Sequence, residues 1–311
     1  MELPPKLWFK LQRLRKTLLA SLGRTEQQSY DTAHRMCPNC RGLIDRNASV
    51  CPLCGIPLRA PRSRSGTSPG RVLGIIPVPS TATSAIVAVT IAIYAISWYM
   101  TQNFASAELR AAPAWGGIEG TVLMRLGAKS VLLFAGQWWR LVTAVFLHAG
   151  LFHIGMNIWC LVDLGPEVES LFSTTKFIVI YFVTGVAGFL LSALWNPLVL
   201  SVGASGAVLG LIGVLIGASL HHGNLGRDYR RQLWRWVIYI LIFGLLPFSG
   251  VDNAAHIGGL VVGFVLGYLI PEGEPLTRGG ENLWNALAVL SVVIIAGSFA
   301  LMALQLNAYA R

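Results

Sequence analysis

The stretch SVGASGAVLGLIGVLIG, residues 201–217, decides how this chain is read, together with DNAAHIGGLVVGFVLG at 252–267. Both are apolar, and both carry glycine at helical spacing: Gly206, Gly210, Gly213 and Gly217 in the first, Gly259, Gly263 and Gly267 in the second. Rows of small residues let two membrane helices approach closely. Each row begins beside one polar side chain, Ser205 or His256. Taken alone, a Ser in GASG reads more readily as a packing or kink residue. A lone intramembrane His is balanced between catalysis and ion or proton handling. The pair gains meaning only from what surrounds it.

Of the 311 residues, 54% are hydrophobic and 12% charged, where soluble domains carry roughly 25% charge. That excludes an ordinary soluble domain. Apolar runs long enough to span a bilayer are expected at 84–104, 141–163, 177–195, 205–221, 236–249, 254–270 and 283–305. The first 80 residues hold 13 of the 24 Lys and Arg against four acids, so the positive-inside rule puts the N-terminus in the cytoplasm. The loop bearing Arg227, Arg230, Arg231 and Arg235 falls on the same side only if an even number of spans separates the two, and four do. No secretory leader is expected, because cations break the opening stretch. The segment 105–140 is then outside, with Trp138 and Trp139, like Trp195, as interfacial anchors. Cys160 reads as plain core.

On this topology the second, fourth and sixth spans all run inward. His148, His153 and Asn157 of the second, Ser205 of the fourth, and Asp252, Asn253 and His256 of the sixth therefore share one depth near the outer face. A serine hydroxyl needs a base to become a nucleophile, and His256 is at the matching depth. His153 and Asn157, four residues apart, share a helix face and can aim donors at a developing oxyanion, with the Ser205 backbone N–H. His148, across Gly150, is off that face and supports the site.

These residues resemble the rhomboid intramembrane proteases over about residues 84–270. The resemblance rests on Trp139-Arg140, the HxxxxHxxxN run from His148 to Asn157, Gly203-Ala204-Ser205-Gly206, and Ala255-His256-Ile257-Gly258-Gly259. It implies an all-α membrane protein with a six-helix catalytic core (83–271), a Ser205/His256 dyad without a triad acid, and an oxyanion site at His153 and Asn157. It also implies that substrates are transmembrane segments of other proteins, cut near the outer face without metal or ATP. Arg140 corresponds to the family's first-loop arginine, and Glu169 is expected as its acidic partner in a structural pair. Leu209 departs from the aromatic residue often found four positions after the serine. The span at 283–306 resembles the extra C-terminal helix of longer members. A non-catalytic, client-binding relative and a transporter with His148, His153 and His256 as a proton relay are the competing classes; the intact Ser205 and His256 argue against the first.

The N-terminal part reads separately. Residues 1–35 contain a basic amphipathic helix at 5–23, fit to lie on an anionic bilayer surface or to pack on its own module. Within 36–58, Cys37-Pro-Asn-Cys40 and Cys51-Pro-Leu-Cys54 supply four thiolates for a closed tetrahedral site. Structural Zn²⁺ is the expected cofactor; iron or a redox dithiol are the alternatives. The module is small enough for the metal to provide most of its folding energy. A cytosolic partner is one role for it. Its arginines already have a reason in topology and anionic lipid, which disfavours nucleic acid. Residues 59–82, rich in Pro, Gly, Ser and Arg, form a flexible linker. The localisation expected is an integral multi-pass protein of the cell (inner) membrane.

Overall fold

The computed structural model describes residues 34–37, 43–45, 48–56, 71–72, 76–77, 80–104, 116–223, 226–246 and 249–309. The expected amphipathic helix at 5–23, most of the linker, and Cys40 lie outside them. The chain divides into two compact units, Met1–Ser63 and Arg64–Arg311.

In the first unit, β1 (His34–Met36) pairs antiparallel with β2 (Leu43–Asp45). A small core of Cys37, Ile44 and Cys51 sits beside this hairpin, with Cys54 and Ile56 packed on it. The second unit opens with a two-residue hairpin, β3 (Arg71–Val72) and β4 (Ile76–Pro77), inside the stretch expected to be linker.

Helices follow: α1 (Thr81–Phe104), α2 (Gly120–Arg125), α3 (Arg140–Thr143), α4 (Leu151–Phe172), α5 (Thr174–Trp195), α6 (Ser205–Ser219), α7 (Arg227–Phe243), α8 (Asn253–Leu269) and α9 (Arg278–Tyr309). Among the described residues, four segments are long and apolar enough to cross a membrane: Thr81–Asn103, Thr174–Trp195, Ser205–His222 and Arg278–Leu306. With the family evidence below, this makes the chain an all-α membrane protein. Helix α4 carries Asp163, Glu167 and Glu169, α7 carries five charges in its first half, and α8 has 17 residues.

Helix α6 is the hub, and every residue from Gly206 to Ser219 is buried. It packs on α8, α5, α4 and α7. A Cβ added to Gly259, Gly263 or Gly267 would run into the carbonyl oxygen of Gly206, Gly210 or Val214 respectively. The two glycine rows thus face each other, and the α6 and α8 backbones touch along their length. Helix α9 lies against α5 and α3, with Phe299 edge-on to Phe146 at 5.7 Å between centroids.

Several expectations change. The helix expected as the second span starts at Leu151, not 141: residues 140–143 form the separate α3, anchored by the Thr143 hydroxyl on the Gly127 carbonyl at 2.7 Å, and Gly150 begins α4. His148 therefore lies in the turn before the helix. The helix found where a fifth span was expected is Arg227–Phe243, displaced toward its charged end from 236–249. Trp139 is not an interfacial anchor; it is 5% exposed under the Arg140 guanidinium, 4.8 Å from its ring centroid. Trp138 and Trp195 are exposed.

The expected Arg140–Glu169 pair does not form. Arg140 donates to the Met124 and Ala128 carbonyls at 2.7 and 2.9 Å and to Gln137 Oε1 at 2.6 Å. Glu169 accepts from the Ser80 hydroxyl, the Thr174 hydroxyl at 2.8 Å, and the Ala82 and Thr83 amides at 3.4 Å each. Distance is the reason. From Leu151, Glu169 is about 27 Å further down α4, whereas Arg140 precedes the start of that helix. Glu169 instead caps the N-terminus of α1, where an anion complements orphan amides and the helix dipole.

Candidate active site

Ser205 is the first residue of α6, so its amide is among the helix's orphan donors. The chain reaches it through a clamped loop. Lys129 and Ser201 exchange both backbone hydrogen bonds at 3.0 Å, and the Gly203 amide donates to the Ala144 carbonyl at 2.9 Å. The Lys129 ammonium, fully buried, donates to the carbonyls of Asn196 and, at 3.0 Å, Val199. Gly203 then turns with φ +128°, a conformation that favours glycine.

That glycine leaves the space into which α4 reaches. A Cβ at Gly203 would lie 2.7 Å from His153 Nε2 and 3.9 Å from Asn157 Nδ2. The Ala149 amide donates to His153 Nδ1 at 3.4 Å, which places the ring proton on Nε2, facing Gly203. Asn157, 6% exposed, spends one amide hydrogen on the His153 carbonyl at 2.8 Å and keeps the other. Two donors from one helix face thus converge beside the loop that leads to Ser205. His148, fully buried, stands edge-on to His153 at 5.1 Å. Its Nδ1 is 3.3 Å from the Phe146 carbonyl, and its Nε2 accepts from the Ala204 amide at 3.5 Å.

His256 lies in the first turn of α8, 4% exposed, and its Nδ1 has no hydrogen-bond partner. Ser205 is half-buried. Their helix starts are in backbone contact: a Cβ on Gly206 would meet the Ala255 carbonyl at 3.2 Å. Among the described residues no hydrogen bond joins the two side chains. Catalytic hydrogen bonds are often long in a resting site and tighten with substrate. Leu209 is buried in the core, so no aromatic ring stands four residues after the serine. Beside the site, a cavity of about 750 Å³ opens between the end of α5, the 196–201 loop and residues 244–246 and 249–254, with Asp252 and Ile257 on its wall.

Sequence reasoning assigned no role to Lys129, Ser192 or Asp252. Lys129 had one signal, a cation beside Arg125 in a semi-apolar stretch that holds no acid between Glu119 and Asp163. For Ser192 there was none, since a hydroxyl in a membrane helix usually bonds its own backbone.

In the N-terminal unit, the sulfurs of Cys37, Cys51 and Cys54 lie within 4.8 Å of one another, with Cys37 and Cys54 at 3.6 Å. Tetrahedral Zn²⁺ with Zn–S of ~2.3 Å sets sulfurs about 3.8 Å apart. The three described thiols fit that ion; the fourth expected ligand, Cys40, lies outside the described residues.

Residues 135–272 match the Rhomboid domain family. The chain is 38% identical over 177 residues to RHOMBOID-like protein 6, mitochondrial, of Arabidopsis thaliana, covering 55% of this chain and 56% of that protein. It is 36% identical over 185 residues to Rhomboid protease GluP of Bacillus subtilis, covering 58% and 35%. Rhomboid-like protease 3 of Toxoplasma gondii is 34% identical over 188 residues, covering 59% and 72%. The chain thus spans about half or less of the length of the first two relatives.

Proposed function

Because the chain belongs to the rhomboid family, we propose that it is an intramembrane serine endopeptidase whose nucleophile is Ser205 and whose general base is His256. The observation that carries this reading is the meeting of α4, α6 and α8 at one end, where the His153 and Asn157 donors face the Gly203 turn just before Ser205 and the starts of α6 and α8 touch. In the reaction, Ser205 Oγ attacks the scissile carbonyl while His256 takes its proton. The oxyanion is held by His153 Nε2–H, the free Asn157 amide hydrogen and the Ser205 N–H. The protonated His256 then gives its proton to the leaving amine; in deacylation it takes a proton from water as the water oxygen attacks the acyl carbon, and returns that proton to Ser205 Oγ as the ester bond breaks and the carboxylic product leaves. Neither step calls for a metal.

Substrates are transmembrane segments of other membrane proteins. The continuous helical segment Ser205–His222 has 18 residues and spans about 27 Å, close to the ~30 Å hydrocarbon thickness, so Ser205 falls near one membrane face. The N-terminus of the chain is cytoplasmic, and the host membrane is the cell (inner) membrane. Cys37, Cys51 and Cys54, with Cys40, hold structural Zn²⁺, which supplies folding energy to its module and no chemistry to the cleavage. A cytosolic partner is the role we assign to that module.

Labelling by a fluorophosphonate probe in native membranes tests the dyad. The wild-type chain is expected to label, and Ser205→Ala and His256→Ala to lose labelling. Labelling retained in Ser205→Ala removes Ser205 as the nucleophile.

A further inference from the structure

Resting on the protease reading above, we propose that Asp252 is a positioning residue for His256. It achieves through the helix backbone what a hydrogen-bonded acid achieves directly in a triad. The starting point is the imidazole itself: its Nδ1 is buried and without a partner, so no side chain holds the ring from behind. Its orientation has to come from the turn that carries it.

Asp252 secures that turn at three atoms. Its carbonyl accepts the His256 amide at 3.1 Å. Its Oδ1 accepts the Ala255 amide at 3.1 Å, making it the N-cap of α8. Its Oδ2 accepts the hydroxyl of Ser192, a fully buried residue of α5. The cap therefore also ties the turn to the neighbouring helix. Backbone contact closes the remaining sides, because a Cβ on Gly188 of α5 or Gly206 of α6 would meet the Ala255 carbonyl at 2.7 or 3.2 Å. A turn held this closely fixes where the His256 Cα–Cβ bond points, and the packing around the ring, 4% exposed, limits its rotamers from there. Lys129, bonded through its backbone to Ser201 on the loop leading to Ser205, feels the same carboxylate: burial pushes its ammonium pKa down and Asp252 pushes it back up.

The test uses the full-length chain in lipid nanodiscs and the fluorophosphonate probe, separating kinact from KI. Asp252→Ala loses cap and tie, and its kinact is expected to fall about 10-fold to 100-fold, as for a displaced catalytic group, with KI unchanged. Asp252→Asn keeps the cap, since Asn serves as well as Asp there, and its amide can donate to Ser192 Oγ; it is expected to restore most of kinact. Ser192→Ala, which keeps the cap and loses the tie, is expected to lie between. Wild-type kinact in Asp252→Ala overturns the proposal, as does a loss that Asp252→Asn does not restore, which would mean charge and not position. Should Asp252→Ala fail to fold, wild-type kinact in Ser192→Ala overturns it instead. A wild-type chain that never labels overturns the protease reading and this proposal with it, an outcome distinct from variants that match an active wild type.

Discussion

Gly203 is where one added methyl group would be felt most. Its φ of +128° strains any other residue, and a Cβ there would press on His153 Nε2. We expect Gly203→Ala to keep its helical circular dichroism while its Ser205 labelling rate drops about 100-fold to 1,000-fold, the cost of losing one oxyanion donor; an unchanged rate would remove His153 from that role. Polar side chains within apolar runs are conspicuous, which is why Ser205, His256, His153 and Asn157 could be picked out before their neighbourhood was seen. Partners are harder to read. Arg140 and Glu169 were expected to pair because the family resemblance marks the arginine and Glu169 offers an acid, yet backbone groups and hydroxyls satisfy them separately. A sequence does not reveal which backbone groups are left open to receive a charge, and Lys129 and Asp252 went unassigned for the same reason.

The α6–α8 seam is the element-level determinant of the site, because it sets the approach of Ser205 and His256. Gly263 is the telling position. Its Cβ would fall on the Gly210 carbonyl, and helix backbone cannot swing aside as a side chain can. Gly263→Ala should therefore destabilise the detergent-solubilised protein by about 1–3 kcal/mol, as overpacking does, and slow labelling as the helices part. At Gly297 of α9 an added methyl group would meet nothing within 4 Å, so Gly297→Ala should be neutral or stabilising by about 0.5–1 kcal/mol. Thermal melts of the two variants make the comparison, and equal melting temperatures would refute the seam's importance. The glycine periodicity was legible in the sequence. The start of α4 was not, since 141–150 is apolar whether it forms helix or buried turn. The decisive contact, Thr143 on the Gly127 carbonyl, joins residues whose proximity no local pattern encodes.

Over the whole chain, the cysteine cluster and the helical unit pose separate questions. The purified protein is expected to carry about one equivalent of zinc, lost on Cys51→Ser, while Ser205 still labels. Iron, or no metal at all, would refute the assignment, and lost labelling would mean that the cluster serves the helical unit. Class and membrane character were plain from composition. The pairing of remote segments was not, and Glu169 is the clearest instance, since it closes the N-terminus of α1 from 86 to 89 residues away. During synthesis α1 leaves the ribosome long before that carboxylate exists. Its first amides must rely on water until α4 arrives, so the first helix is completed only when a later one docks.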